Sequence, residues 1–268
     1  MDKINNRSDW EKERRKMIGE ELAYLKKHHS QQSSALTKKA EEHIPENLGS
    51  KLENGFIKGF RLVFDKGIES FEEGIKAKKY EAEHRIATLE LESDLSSALS
   101  SLQRKANAVS RRGKVLSGIE GVGLGAVGIG LPDIPVFIAH LLRRIYEIAA
   151  IYGFSVEGER EKVFILRIIR TAVSHGETLI EENRKVGRMI RRFDREAVDL
   201  EAEIQATSSA MSLSMMTSKF IQGLFLVGVI GGLSNIAVMR DMTDYAEIAY
   251  KKRFLRKIYE ETEMNHED

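Results

Sequence analysis

Cysteine is absent from this chain of 268 residues. That excludes disulfides, thiol nucleophiles and thiolate metal sites together, and it fits a reducing compartment. Proline occurs only at Pro45, Pro132 and Pro135, so long stretches are free to be helical. Aromatic residues make up 7%, with Trp10 the one tryptophan. An excess of one charge is missing as well. The 42 Lys and Arg stand against 41 Asp and Glu, and a net +1 sets up no global field toward nucleic acid. The opening MDKINNRSDWEKERRK lacks the apolar segment of a signal peptide, which predicts a cytoplasmic chain. No stretch alternates with the period of two that a half-buried strand needs, and no repeat of fixed length is visible.

What is present is helical pattern, so the expected architecture is all-α: one helical domain around a glycine-rich apolar hairpin, with long charged helices outside it. Ser8-Asp9-Trp10-Glu11 has the form of a capping box and predicts a charged helix from Asp9 to Lys27. His28–Lys39 reads as a linker. Pro45-Glu46-Asn47 opens a second helix, whose apolar face runs through Leu52, Phe56, Gly59, Phe60, Val63, Phe64, Gly67, Ile68 and Phe71, with a break near Gly74. Further helices are predicted at Tyr80–Ala108, Val136–Tyr152 (ended by Gly153), Glu159–His175, Thr178–Ala206 and Asp241–Glu261. The expected boundaries are 1–46 for a charged helix and linker, 47–262 for the helical domain and 263–268 for a disordered tail.

Two glycine-apolar runs dominate the pattern. The first, in Gly113–Ile151, carries Gly118, Gly121, Gly123, Gly125, Gly128 and Gly130 before Pro132-Asp133-Ile134-Pro135 interrupts it. The second is Phe220–Met239, which has no charged residue over roughly the length of a membrane span. Gly123-Leu-Gly125-Ala-Val-Gly128 matches a dinucleotide fingerprint by letters, but no strand precedes it, and no Gly-Lys-Ser/Thr follows for a P-loop. No cofactor is expected. Gly228-x-x-x-Gly232 is of the kind that lets helices approach closely. The runs therefore read as a buried hairpin core, as segments inserted across a bilayer, or as segments in shallow or conditional contact with one.

Asp133, between two prolines, suits a helix cap. His140, Arg143, Arg144 and Glu147 recur at spacings of three and four, so Glu147 can pair with either arginine. A hydrolytic site would draw on Asp133, His140, Glu147 and His175. A zinc site from His140, His175 and a carboxylate lacks the HExxH pattern, and no metal is expected. Arg184, Lys185, Arg188, Arg191, Arg192 and Arg195 form a basic band flanked by Glu181, Glu182, Asp194, Glu196 and Asp199. It reads either as a solvated face laced with ion pairs or as a contact for anionic headgroups or a protein. Arg111, Arg112 and Lys114 sit just before the first glycine run. The band has no interleaved aromatics, so nucleic acid is not the expected partner.

GLPDIPVFIAHLLRRIYEIAAIYGF, then EREKVFILRIIRTA, then VGVIGGLSN and DMTDYAEIAYKKRFL closely resemble the EcsC family of bacterial proteins over Leu48 to Tyr259. The positions that match the family pattern are Pro132, Asp133, Pro135, Tyr146, Glu147, Gly153, Arg167, Gly231, Gly232, Asn235, Asp241, Ala246, Arg253 and Leu255. Gly223-Leu224-Phe225 departs from it where family members often carry a proline. The resemblance brings no established catalytic residues. It implies a link to an ABC transporter, through the operon for which the family is named. The leading expectation is a non-enzymatic helical accessory protein at the inner membrane face that binds lipid or a membrane protein through the glycine-apolar hairpin, with Arg111, Arg112, Lys114 and the 184–195 band near anionic headgroups. The alternatives are a hydrolase, and a scaffold or oligomer that uses Thr178–Ala206 as a docking arm.

Overall fold

In the computed structural model, which describes residues 6–30, 46–67, 84–85, 94–124, 133–221 and 233–267, every regular element is an α-helix. The described helices are α1 (Asn6–Ser30), α2 (Glu46–Lys66), α3 (Leu95–Leu124), α4 (Asp133–Ile151), α5 (Glu159–Val173), α6 (Gly176–Arg191), α7 (Leu200–Ile221) and α8 (Leu233–Glu267). The all-α expectation holds. The glycine-rich centre, residues 125–132 and 222–232, lies outside the described residues, as do the side chains of 111–124 and of Asp133.

The shortest helix is the axis. Every residue of α5 from Val163 to Val173 is buried, and α6, α7 and α8 all pack against it. Phe164, Ile165, Leu166, Ile168 and Ile169 supply a ring of apolar side chains to the common core. A helix enclosed on all sides gains most of its stability from burial rather than from propensity.

α2 runs antiparallel to α7, with Gly49 beside Ser212 and Met216 at one end and Arg61 paired with Glu201 at the other. Its midpoint receives α4, and a Cβ built at Gly59 would meet Ile138 Cδ1 at 2.5 Å and Ile134 Cγ2 at 3.3 Å. The flanks of both glycine runs, the start of α4 and the end of α7, thus lean on one helix. α1 docks on α8, where Trp10 Nε1 donates to the Leu255 carbonyl at 2.9 Å and its ring meets Tyr259 at 4.6 Å.

Local chemistry sets several of the boundaries. Asp94 caps α3, accepting from the Ser96 and Ser97 amides at 2.9 and 3.3 Å. Pro135 sits in the first turn of α4, where its missing N–H costs nothing. Gly153, at φ 77, ends α4 with Phe154 N–H bonded to Ala149 and Gly153 N–H to Ala150, the Schellman pattern.

Several boundaries depart from expectation: α3, expected over Tyr80–Ala108, spans Leu95–Leu124, and α4 begins at Asp133, ahead of the expected Val136. α1 starts at Asn6, ahead of the capping-box serine. α2 stops at Lys66, because Gly67 takes φ 78. α8 runs from Leu233 to Glu267, beyond both ends of the expected Asp241–Glu261. The long charged helix expected over Thr178–Ala206 is two helices, α6 and α7, with a turn between them. Arg160 makes that turn by reaching across to donate to the carbonyls of Phe193 (3.1 Å) and Glu196. Asp199 then caps α7 at the Ala202 amide, 3.0 Å away.

Candidate functional site

The arginines near the turn divide into an inward and an outward set. Arg167 and Arg170, buried on α5, face a cage of carboxylates. Arg167 reaches Glu196 at 2.6 Å and Glu203 at 2.8 Å, and Arg170 reaches Glu182 at 2.8 Å and Glu203 at 2.5 Å. Lys185 closes the network on Glu182 at 2.7 Å. Burial pushes the Glu182 carboxyl up, yet Lys185 and Arg170 together hold it below its ordinary range. A buried guanidinium is tolerable only with such partners.

The consequence shows on the outer face. Arg184, Arg188, Arg191, Arg192 and Arg195 are exposed. Among the described residues none of them pairs with a carboxylate, whereas their neighbour Lys185 does. Glu182 and Glu196 are turned inward to α5, and Asp199 is committed to the α7 cap. Asp194 is the one acid left between Arg184 and Arg195. Arg184, Arg188 and Arg191 share one face of α6, and the last two lie at its C-terminus, where the helix dipole favours cations. The interleaving of signs in the sequence does not reappear as interleaving on the surface.

The candidate catalytic residues fall into separate clusters. Glu147, buried on α4, pairs with Arg143 at 3.4 Å, and half-buried His140 lies two turns earlier on the same helix. His175 stands at the start of α6, against His28 and Asp241. The two imidazoles are parallel at 6.4 Å, His28 Nε2 lies 3.8 Å from Asp241 Oδ1, and Tyr24 stacks on His28 at 4.2 Å. Burial lowers His28 to about 4, with Lys27, His175 and Arg240 adding to the fall. Burial likewise lowers His175 and raises Asp241. Among the described residues no group of three or more potential ligands is placed to hold a metal ion.

Of the family-pattern positions, Arg253 has the most elaborate setting. Its guanidinium lies 3.7 Å from the Phe193 ring centroid, 4.2 Å from Phe154 and 5.1 Å from Phe164. It donates to both oxygens of buried Glu161, at 3.0 and 2.7 Å, and Tyr250 adds a third bond at 2.7 Å. Tyr146 packs half-buried against the core, and Ala246 and Leu255 lie within it. The side chains of Arg111, Arg112, Lys114 and Asn235, with Pro132, Gly231 and Gly232 entire, lie outside the described residues.

One site escaped the sequence reading. A cavity of about 300 Å³ opens between α1, α3 and α8, lined by Glu20, Gln103, Asn107, Ser110, Asp244, Glu247 and Ile248. At its edge Lys251, 2% exposed, donates to both Glu20 oxygens at 3.0 and 2.8 Å and to Gln103 Oε1 at 3.1 Å. Burial pushes Glu247 up to about 7 against the pull of Lys251, with Asp244 and Glu20 adding to the rise. The available signal was Asp244, Glu247 and Lys251 at spacings of three and four on α8, which by itself reads as a solvated face.

Comparison with known proteins agrees with the resemblance seen in the sequence. Protein EcsC of Bacillus subtilis (strain 168) is 25% identical over 142 residues, covering 52% of this chain and 57% of that protein. The uncharacterized protein YdbA of the same strain is 23% identical over 151 residues, covering 54% of each. The matched region thus spans little more than half the length of these curated relatives. No solved structure matches. The sequence model of the EcsC protein family, however, matches residues 9–255, from α1 to the Leu255 carbonyl on which Trp10 docks, and the chain belongs to that family.

Proposed function

We propose that this chain is a peripheral accessory protein of an anionic membrane surface, held there by the outward arginines of α6 and the turn that follows. The observation that carries this reading is the withdrawal of Glu182 and Glu196 to Arg167 and Arg170, which leaves Arg184, Arg188, Arg191, Arg192 and Arg195 without carboxylate partners among the described residues. Unneutralised guanidinium groups on one surface suit phosphate headgroups, which take bidentate hydrogen bonds. Each basic side chain near such a surface contributes about 1 kcal/mol. Among the described residues no helix is long and apolar enough to cross a membrane, and the proposed attachment needs none. Arg111, Arg112 and Lys114 would add to the same attraction.

Vesicle flotation tests the reading. At low salt the chain should float with vesicles containing anionic phosphatidylglycerol and stay behind with pure phosphatidylcholine. Reversing Arg188, Arg191 and Arg192 to Glu should weaken binding by about a hundredfold or more, from about 1 kcal/mol lost per residue. Equal flotation of wild type and triple variant, or none of the wild type, overturns it.

A further inference from the structure

The cavity between α1, α3 and α8 is built from charge that the fold leaves unbalanced. Lys251 spends its donors on Glu20 and Gln103, so the Glu20 carboxylate is neutralised within the wall. Glu247 is not. The residue is 8% exposed, and among the described residues it has no hydrogen-bond or ion-pair partner, only the more distant field of Lys251. Asp244 stands one turn away on the same lining. Two hydroxyls tell the same story. Ser110 Oγ lines the cavity, 4% exposed and without a hydrogen bond, and the fully buried Tyr152 OH, within the field of Glu247 and Glu20, has none either. Native interiors pair such hydroxyls, and the Glu247 carboxylate, facing the cavity, meets no donor from the protein.

We infer that this cavity binds a small organic cation, with a primary ammonium or guanidinium group donating to Glu247 and Ser110 Oγ. The Glu247 carboxylate disfavours anions. Donors on the ligand supply what the lining lacks, while Asn107 offers an amide oxygen beside the charge and Ile248 gives an apolar wall for methylenes. A volume of about 300 Å³ lies at the lower limit of ligand pockets, which selects a compact amine. Nothing in this inference rests on the membrane reading, since the cavity and the arginine surface share no residue.

Isothermal titration of the full chain at ~pH 8, above the Glu247 value of about 7, tests it with diaminobutane, methylguanidinium and the uncharged isostere butanediol. At least one of the two cations should bind saturably at one site, and butanediol should not. Glu247→Gln should weaken binding at least about tenfold. Asn107→Leu, which narrows the cavity and leaves its charges alone, should do the same and decides the matter should the first variant not fold. Failure of both cations to bind the wild type, equal binding of butanediol, or undiminished binding in a folded variant overturns the inference.

Discussion

At the scale of a residue, Arg253 shows how a charge becomes part of a core. Its guanidinium is stacked within 4.2 Å of the Phe154 and Phe193 centroids and bonded to Glu161, so planar shape and charge are both in use. Lysine keeps only the charge. Arg253→Lys should therefore cost about 1–3 kcal/mol. Arg253→Met, which leaves Glu161 buried with the Tyr250 hydroxyl but no counter-charge, should cost about 3–5 kcal/mol. Glu161 is already pushed up by burial and held back chiefly by Arg253, so adding Glu161→Gln to Arg253→Met should recover part of the loss. Urea midpoints check the order. Arg253→Lys as costly as Arg253→Met would show that the rings contribute and the Glu161 pairing does not. The sequence marks Arg253 as a matching position, but Glu161 and the three phenylalanines come from other elements.

At the scale of an element, what could be read in advance was what local chemistry decides. Pro45 ahead of α2 and Gly153 behind α4 punctuate the chain by their own dihedral limits. The break at 192–199 contains neither Gly nor Pro, and the chain turns there because Arg160 holds the Phe193 and Glu196 carbonyls from another helix. Its one local signal is Asp199, followed by Glu201 and Glu203 in the first turn of α7. The cavity escaped for the same reason, since its carboxylates arrive from α1 and α8 and its amides from α3. Gly153 gives the sharpest test at this scale. It takes a left-handed φ of 77, and a Cβ there would fall on the His84 ring, whose Nδ1 lies 3.1 Å from the Ile151 carbonyl. Gly153→Ala should cost about 1–3 kcal/mol from backbone strain and the displaced ring together. In a His84→Ala background the cost should shrink by about 1 kcal/mol, read as a double-mutant coupling. Zero coupling would place the whole penalty in the backbone.

At the scale of the molecule, two buried groups pull the pH dependence of stability in opposite directions. Glu247 is raised from 4.5 to about 7 in the folded chain. The native state holds that proton where the unfolded chain has lost it, so stability falls as pH rises through 4.5 to 7. His28 is lowered from 6.5 to about 4. Here the unfolded chain holds the proton that the native state refuses, so stability rises with pH from 4 to 6.5. Each displacement is worth on the order of 3 kcal/mol at most. Burial is the main cause of both, and the charges that modulate them are distinct: Lys251, Asp244 and Glu20 around one, Lys27, His175 and Arg240 around the other. His175, lowered by burial, reinforces His28, while Asp241 and Glu161, raised by burial, side with Glu247. The wild type should thus be nearly flat in stability between ~pH 4.5 and ~pH 6.5, where the two windows overlap. Glu247→Gln removes the falling limb, so this variant should gain stability with rising pH and exceed the wild type at ~pH 8. His28→Gln removes the rising limb and should lose stability over the same range. Urea midpoints of the three proteins from ~pH 4 to ~pH 8 decide it. Parallel curves would mean that neither group carries its shift in the folded chain, whereas divergence of opposite sign would show that the flat wild-type profile is a cancellation between two distant buried sites.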